Sequence, residues 1–129
     1  MKDSNMTDTK RQNYRQNIGT WGEKQGEMYL QRQGLEIIEK NYHTRMGELD
    51  IIAKDGEEFV FIEVKTRTNL ESGFPEEAVT DEKMEHLIEA AESYLDKHNF
   101  EQSWRMDVLA IIGRPGSKTV QVEWFKDVG

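Results

Sequence analysis

Glu48, Asp50, Glu63 and Lys65 lie within one stretch, GELDIIAKDGEEFVFIEVKTR, which runs from Gly47 to Arg67. They occupy positions where a sheet would favour Val or Ile. Two carboxylates leaning together can share a divalent cation, each oxygen about 2.1 Å from the metal. A lysine two residues beyond Glu63 would lie beside that cation. The bland alternative is that Glu-x-Lys merely solvates a strand end and forms a weak ion pair. What separates the two readings is whether the acids share a face.

The stretch reads as two apolar strands joined at Asp55-Gly56, the strongest short hairpin signal in the chain. With those two residues as the loop, Lys54 pairs with Glu57, Ile52 with Phe59, Asp50 with Phe61 and Glu48 with Glu63. Residues two apart on a strand share a face, so Glu48, Asp50, Glu63 and Lys65 emerge together, remote from the turn. Asp50 and Glu63 are then diagonal neighbours, roughly 7–8 Å apart at the backbone. The opposite face, Leu49, Ile51, Val60, Ile62 and Val64, is apolar. With both faces covered, the acids lose hydration and repel unless a cation compensates. A one-residue change of loop length would move Asp50 to the other face.

The elements that must position this hairpin follow from pattern. Residues 1–18 are polar without an apolar period and predict a flexible tail, leaving 19–129 as the domain. Thr20-Trp21-Gly22-Glu23 fits a capping box, opening a helix that runs to Gln33 and stops at Gly34. Gly22 and Gly26 weaken that helix by up to about 1 kcal/mol each, which suggests close approach to a sheet. Strands follow over 35–43, 47–54 and 57–66. After Gly73 and Pro75, the stripe Met84, Leu87, Ile88, Ala91 and Leu95 predicts an amphipathic helix. Strands at 105–112 and 119–125 complete an α/β order, α-β-β-β-α-β-β, with helices packed on a mixed sheet.

Composition narrows the function classes. A chain of 129 residues predicts one domain, and the absence of cysteine excludes disulfides and thiolate metal sites. No apolar run has the length of a membrane span or a signal-peptide core, so a cytoplasmic protein is expected. The net charge of −8 argues against generic nucleic-acid binding, but it is unevenly spread. Seven acids between Glu76 and Glu92 face only Lys83, a local net of −6. Basic residues gather at Lys10, Arg11 and Arg15 and near the proposed rim at Arg45, Lys65 and Arg67. That distribution predicts weak, salt-sensitive DNA binding.

An Asp on one strand and Glu-x-Lys on the next, behind a helix carrying Glu23, resembles the PD-(D/E)xK nuclease superfamily. Within it the chain resembles the YraN family of small bacterial proteins, related to archaeal Holliday-junction resolvases. The resemblance rests on Gly22-Glu23, Asn41, Gly47-Glu48-Leu49-Asp50, the run Phe61 to Arg67, Gly73-Phe74-Pro75 and Arg105-Met106-Asp107-Val108, in order and spacing. It implies a restriction-endonuclease-like core and Mg²⁺- or Mn²⁺-dependent hydrolysis of DNA phosphodiesters, with branched recombination or repair intermediates as substrates. It further implies Asp50, Glu63 and the Val64 carbonyl as metal ligands, with Glu23 as a further ligand. Lys65 would orient or deprotonate the attacking water. Leu49 stands where the superfamily's proline would be, which removes no catalytic group.

Several residues carry two readings. Glu23 is also the N3 acid of the expected capping box. Glu48 is either an acid supporting the ligands from behind or a rim residue paired with Arg45 or Lys65. Arg45, Arg67, Lys83 and Arg105 are candidate nucleic-acid contacts, or surface charges and structural ion pairs. Asp107 reads as structural, the histidines show no ligand spacing, and the three tryptophans read as core. Resolvases cut two strands as dimers, so analogy implies a homodimer. The alternative function is a non-catalytic module that holds nucleic acid or protein on the same fold.

Overall fold

The computed structural model describes residues 7–129. Strands β1 (Glu36–Thr44), β2 (Gly47–Asp55), β3 (Glu58–Arg67), β4 (Trp104–Ile112) and β5 (Gln121–Phe125) form one sheet in that spatial order. Helix α1 (Asp8–Arg32) precedes the sheet and α2 (Asp81–Lys97) connects β3 to β4. The β3–β4 pair is parallel and the others are antiparallel. A parallel pair needs a long crossover, which α2 supplies. The α-β-β-β-α-β-β order and mixed sheet stand as the sequence predicts.

Each helix covers one face. Against α1, Leu30 packs on Ile51, Val60, Ile62, Val64, Leu109 and Ile111. Against α2, Leu87, Ala90, Ala91, Tyr94 and Leu95 pack on Ile52, Phe59, Phe61 and Met106. The close approach of α1 explains its glycines. A Cβ on Gly22 would run into Thr66 Oγ1, and one on Gly26 would come within 2.9 Å of Leu109 Cδ2.

Helix α1 begins well before the expected start. Its N-cap is Thr7, whose side chain accepts from the Lys10 backbone N–H, so Thr20 lies inside the helix and forms no capping box. Residues 8–18 are therefore helical, and the rest of the expected tail, 1–6, lies outside the described residues. The N-terminal half of α1 has little to bury, so it leaves no apolar period. Lys, Arg and Gln are nonetheless good helix formers. The other end matches its prediction. Gly34, at φ +95°, closes α1 with Leu35 N–H on Leu30 O and Gly34 N–H on Gln31 O, a Schellman arrangement.

The hairpin register also differs from prediction. Asp55 pairs with Glu58, and Ile52 pairs with Phe61 rather than Phe59. The loop is therefore Gly56-Glu57. Gly56 has φ +65°, and Glu57 is not among the residues at positive φ. A type I′ loop would force Glu57 into the left-handed region, whereas II′ needs only a glycine in its first position. Asp55 and Glu58, like charges directly opposed, are bridged by Arg105 at 3.5 and 2.9 Å. Each partner moves by two residues, so the shift preserves which face β3 residues occupy.

Candidate active site

Glu63 is the centre of the site. It alternates with Ile62 and Val64, so it points away from α1 towards α2. It is only 3 % exposed. A carboxylate this buried requires compensation, and two ammonium groups provide it. Lys65 Nζ lies 3.2 Å and Lys83 Nζ 3.5 Å from Glu63 Oε2. Lys65 arrives from two residues further along β3. Lys83 comes from the first turn of α2, where Thr80 caps its backbone N–H.

Asp50 enters where β2 leaves β3. The last backbone pair is Ile51 with Ile62. Beyond it, the Val64 N–H donates to Asp50 Oδ2 at 2.9 Å, so a side chain takes over from the ladder. Alternation breaks at the same place. Ile51 belongs to the core under α1, but Leu49 joins the core under α2, contrary to the expectation that both share a face. On β1, Asn41 lies between the pairs Lys40–Ile51 and Tyr42–Leu49 and has φ +52°. Continued by one residue, the observed register sets Asp50 across the strand pair from Glu63 instead of diagonal to it.

The two acids strain each other. Burial, and then the charge of Glu63, push the Asp50 carboxyl up to about 8; Glu23 adds to this and the Val64 hydrogen bond opposes it. Near neutral pH Asp50 therefore keeps its proton. A divalent cation fits the same place, because Mg²⁺ is commonly held by one or two carboxylates and retains several waters. Among the described residues, no group of three or more His, Asp or Glu side chains is arranged to hold a metal ion. The groups brought together here are the Asp50 and Glu63 carboxyls and the Val64 peptide.

The remaining predicted residues divide. Glu23 stands at the margin of the site, with its carboxyl raised by burial first, then by Glu48 and Glu63, and lowered by a hydrogen bond with Asn41 and by Lys40. With no capping box at Thr20, capping no longer accounts for it. Glu48 is a correction. Its side chain pairs with His43, Nε2 to Oε2 at 3.0 Å, and not with Arg45 or Lys65. The charge it perturbs is Glu23 rather than Asp50. With Leu49 turned to the α2 side, Glu48 does not share the Asp50–Glu63 face.

Arg45 lies on the β1–β2 turn, in a shallow cleft with Tyr42, Met46 and Lys97. Arg67 ends β3, follows Glu63 and Lys65 by alternation, and lines the cleft beside the N-terminal half of α1. Arg105 is at the opposite end of the sheet, bound to Asp107, Asp55 and Glu58. These carboxylates engage it too fully for phosphate contact. Asp107, fully buried, accepts from Arg105, from Trp124 Nε1 and from the Asp127 backbone, a structural role as expected. Sequence reasoning missed His43, and it missed Lys83 as a partner of Glu63. Only the docking of α2 brings Lys83 there, and no local pattern signals it.

A profile of the uncharacterised protein family UPF0102 matches residues 22–111, from Gly22 through the hairpin to β4. The chain belongs to this family. Similar members include UPF0102 proteins of Beutenbergia cavernae, 41 % identical over 87 % of this chain and 95 % of the relative, and of Chlorobium phaeobacteroides, 47 % identical over 75 % and 77 %. A third, from Chlorobium limicola, is 48 % identical over 74 % of each chain. The family match therefore covers both candidate acids and Lys65, whereas Tyr14 and Arg15 precede it. Among the described residues, no helix is long and apolar enough to cross a membrane.

Proposed function

We propose that this UPF0102 protein is a metal-dependent nuclease that hydrolyses phosphodiester bonds in DNA, with branched recombination or repair intermediates as substrates. The observation that supports this best is the buried Asp50–Glu63 pair with Lys65 3.2 Å from the Glu63 carboxylate. Two acids buried side by side, with Asp50 held protonated by burial and by the charge of Glu63, cost stability, and such perturbed groups concentrate at functional sites. Bound Mg²⁺ or Mn²⁺ would polarise a phosphoryl oxygen and lower the pKa of a water. Asp50, Glu63 and the Val64 carbonyl would hold it, with Glu23 at the margin. Lys65, anchored by Glu63, would orient the attacking water and offset negative charge in the transition state. Lys83, more exposed and slightly further from Glu63, would neutralise a phosphate oxygen as substrate enters.

The test is cleavage of duplex, single-stranded and four-way-junction DNA with Mg²⁺ or Mn²⁺, beside Asp50→Ala and Lys65→Ala. Wild type should cut at least one substrate. Lys65→Ala should slow cleavage by about 10²- to 10⁴-fold while keeping most of the DNA affinity. If wild type binds but cuts nothing, and Lys65→Ala binds like it, the protein is a binding module and the nuclease reading fails.

A further inference from the structure

On the α1 side of the site, a cleft of about 430 Å³ is lined by Tyr14, Arg15, Ile18, Arg67 and Thr68, with Glu23, Val64 and Lys65 forming the end that joins the site. Helical spacing explains its roof. Arg15, Ile18, Gly22 and Gly26 follow one face of α1, the face that meets the sheet at the two glycines. Where α1 outruns the sheet, the same face overhangs the end of β3.

Three features of this cleft serve no evident purpose in the fold. Tyr14 is 50 % exposed, and no aromatic pairing involves it among the described residues. Arg15 and Arg67, like Arg32, Arg45 and Arg114, pair with no carboxylate among the described residues, so their charges are free for a ligand. Arg67 Nε is buried without a hydrogen-bond acceptor. A buried donor left unpaired is costly, and a phosphate oxygen entering the cleft would satisfy it.

We propose that this cleft holds an unpaired DNA strand next to the scissile phosphodiester, with Arg67 and Arg15 on phosphate and Tyr14 beneath a base. The proposal rests on the nuclease reading for its substrate class, and it narrows that class to DNA with a single-stranded segment at the site. Two arguments favour an unpaired strand over a duplex. In a duplex the bases are paired and stacked, so none is available to Tyr14 on the overhanging helix. A chain of net charge −8 lacks the broad basic surface that a duplex backbone needs. Single-strand binding instead combines a local cationic groove with aromatic stacking.

The experiment is fluorescence anisotropy in EDTA, where cleavage does not intervene, with a labelled oligothymidine and a duplex of the same length. Oligothymidine should bind more tightly than duplex. Tyr14→Ala and Arg67→Ala should each weaken oligothymidine binding by about tenfold and shrink its advantage over duplex, while Tyr14→Phe retains wild-type binding. Arg32→Ala, which removes the same charge at the far end of α1, should leave binding unchanged. Equal binding of the two DNAs, or wild-type binding by both Tyr14→Ala and Arg67→Ala, overturns the proposal. The outcomes are separable from those of the nuclease test. Wild type that cuts DNA while these variants bind normally removes the cleft and keeps the nuclease. Wild type that binds single strands through these residues but never cuts removes the nuclease and keeps the cleft.

Discussion

Replacing Asp50 by asparagine should stabilise the metal-free protein, and by an amount that depends on pH. Asparagine has the shape of a protonated aspartate, can still accept the Val64 N–H through its amide oxygen, and carries no charge at any pH. In the native chain the Asp50 carboxyl rises from 3.8 to about 8. Between those values the unfolded chain has released the proton and the folded chain has not. Stability therefore falls as pH rises through this window, and the full loss is reached above about pH 8. Four units at about 1.4 kcal/mol each set a ceiling on the order of 5 kcal/mol. Relaxation and water penetration reduce such penalties, leaving about 2–3 kcal/mol. For a domain of this size that is a melting-temperature difference of about 10 °C. The assay is thermal denaturation followed by circular dichroism in EDTA, on wild type and Asp50→Asn, from pH 4 to 9. The variant should match wild type near pH 4 and pull ahead progressively to about pH 8. A constant difference across that range, or a wild type more stable than the variant at pH 9, would refute the buried-repulsion argument.

Millimolar Mg²⁺ or Mn²⁺ should raise the melting temperature of wild type at pH 8 by binding the native state, and Asp50→Asn should lose most of that response; a thermal shift with and without metal checks it. Gly22→Ala should destabilise by about 1–3 kcal/mol despite alanine's better helix propensity, because the new methyl meets Thr66; urea denaturation measures it, and a gain in stability would contradict the packing. Asp107→Ala should cost about 1–3 kcal/mol, since it leaves the Trp124 and Asp127 donors unpaired and takes one of three carboxylates from Arg105; the same denaturation series decides it.

How much of this was legible in the sequence depends on the range over which each feature is determined. Hairpin, helix α2 and the α-β-β-β-α-β-β order come from local turn chemistry and apolar periodicity, and they appear in the structure as read. Glu63 and Lys65 share a face because alternation along one strand is a local property. The glycines at 22 and 26 signalled close packing, and Gly34 marked the helix end. By contrast, the exposed half of α1 left no periodic trace, since nothing apolar is buried there. The register was misread by two residues because Asp-Gly is an equally good sequence for two turn alignments. The observed alignment needs positive φ at Gly56 alone and lets Arg105 bridge Asp55 and Glu58.

The residue types that could do chemistry were thus fixed by the chain itself, while their meeting was decided by tertiary structure. Asp50 meets Glu63 because the register shifted by two residues sets it opposite, and where the ladder ends its carboxylate takes the Val64 N–H. Lys83 reaches Glu63 only because α2 docks across the sheet. Glu48 meets His43 because the β1–β2 register sets the two directly opposite each other. The physical reason is common to the first two. Side-chain direction along an unbroken strand or helix is set by backbone geometry a few residues long, whereas a break in a strand, or the docking of one element on another, is settled by burial and hydrogen bonding summed over residues far apart in the chain.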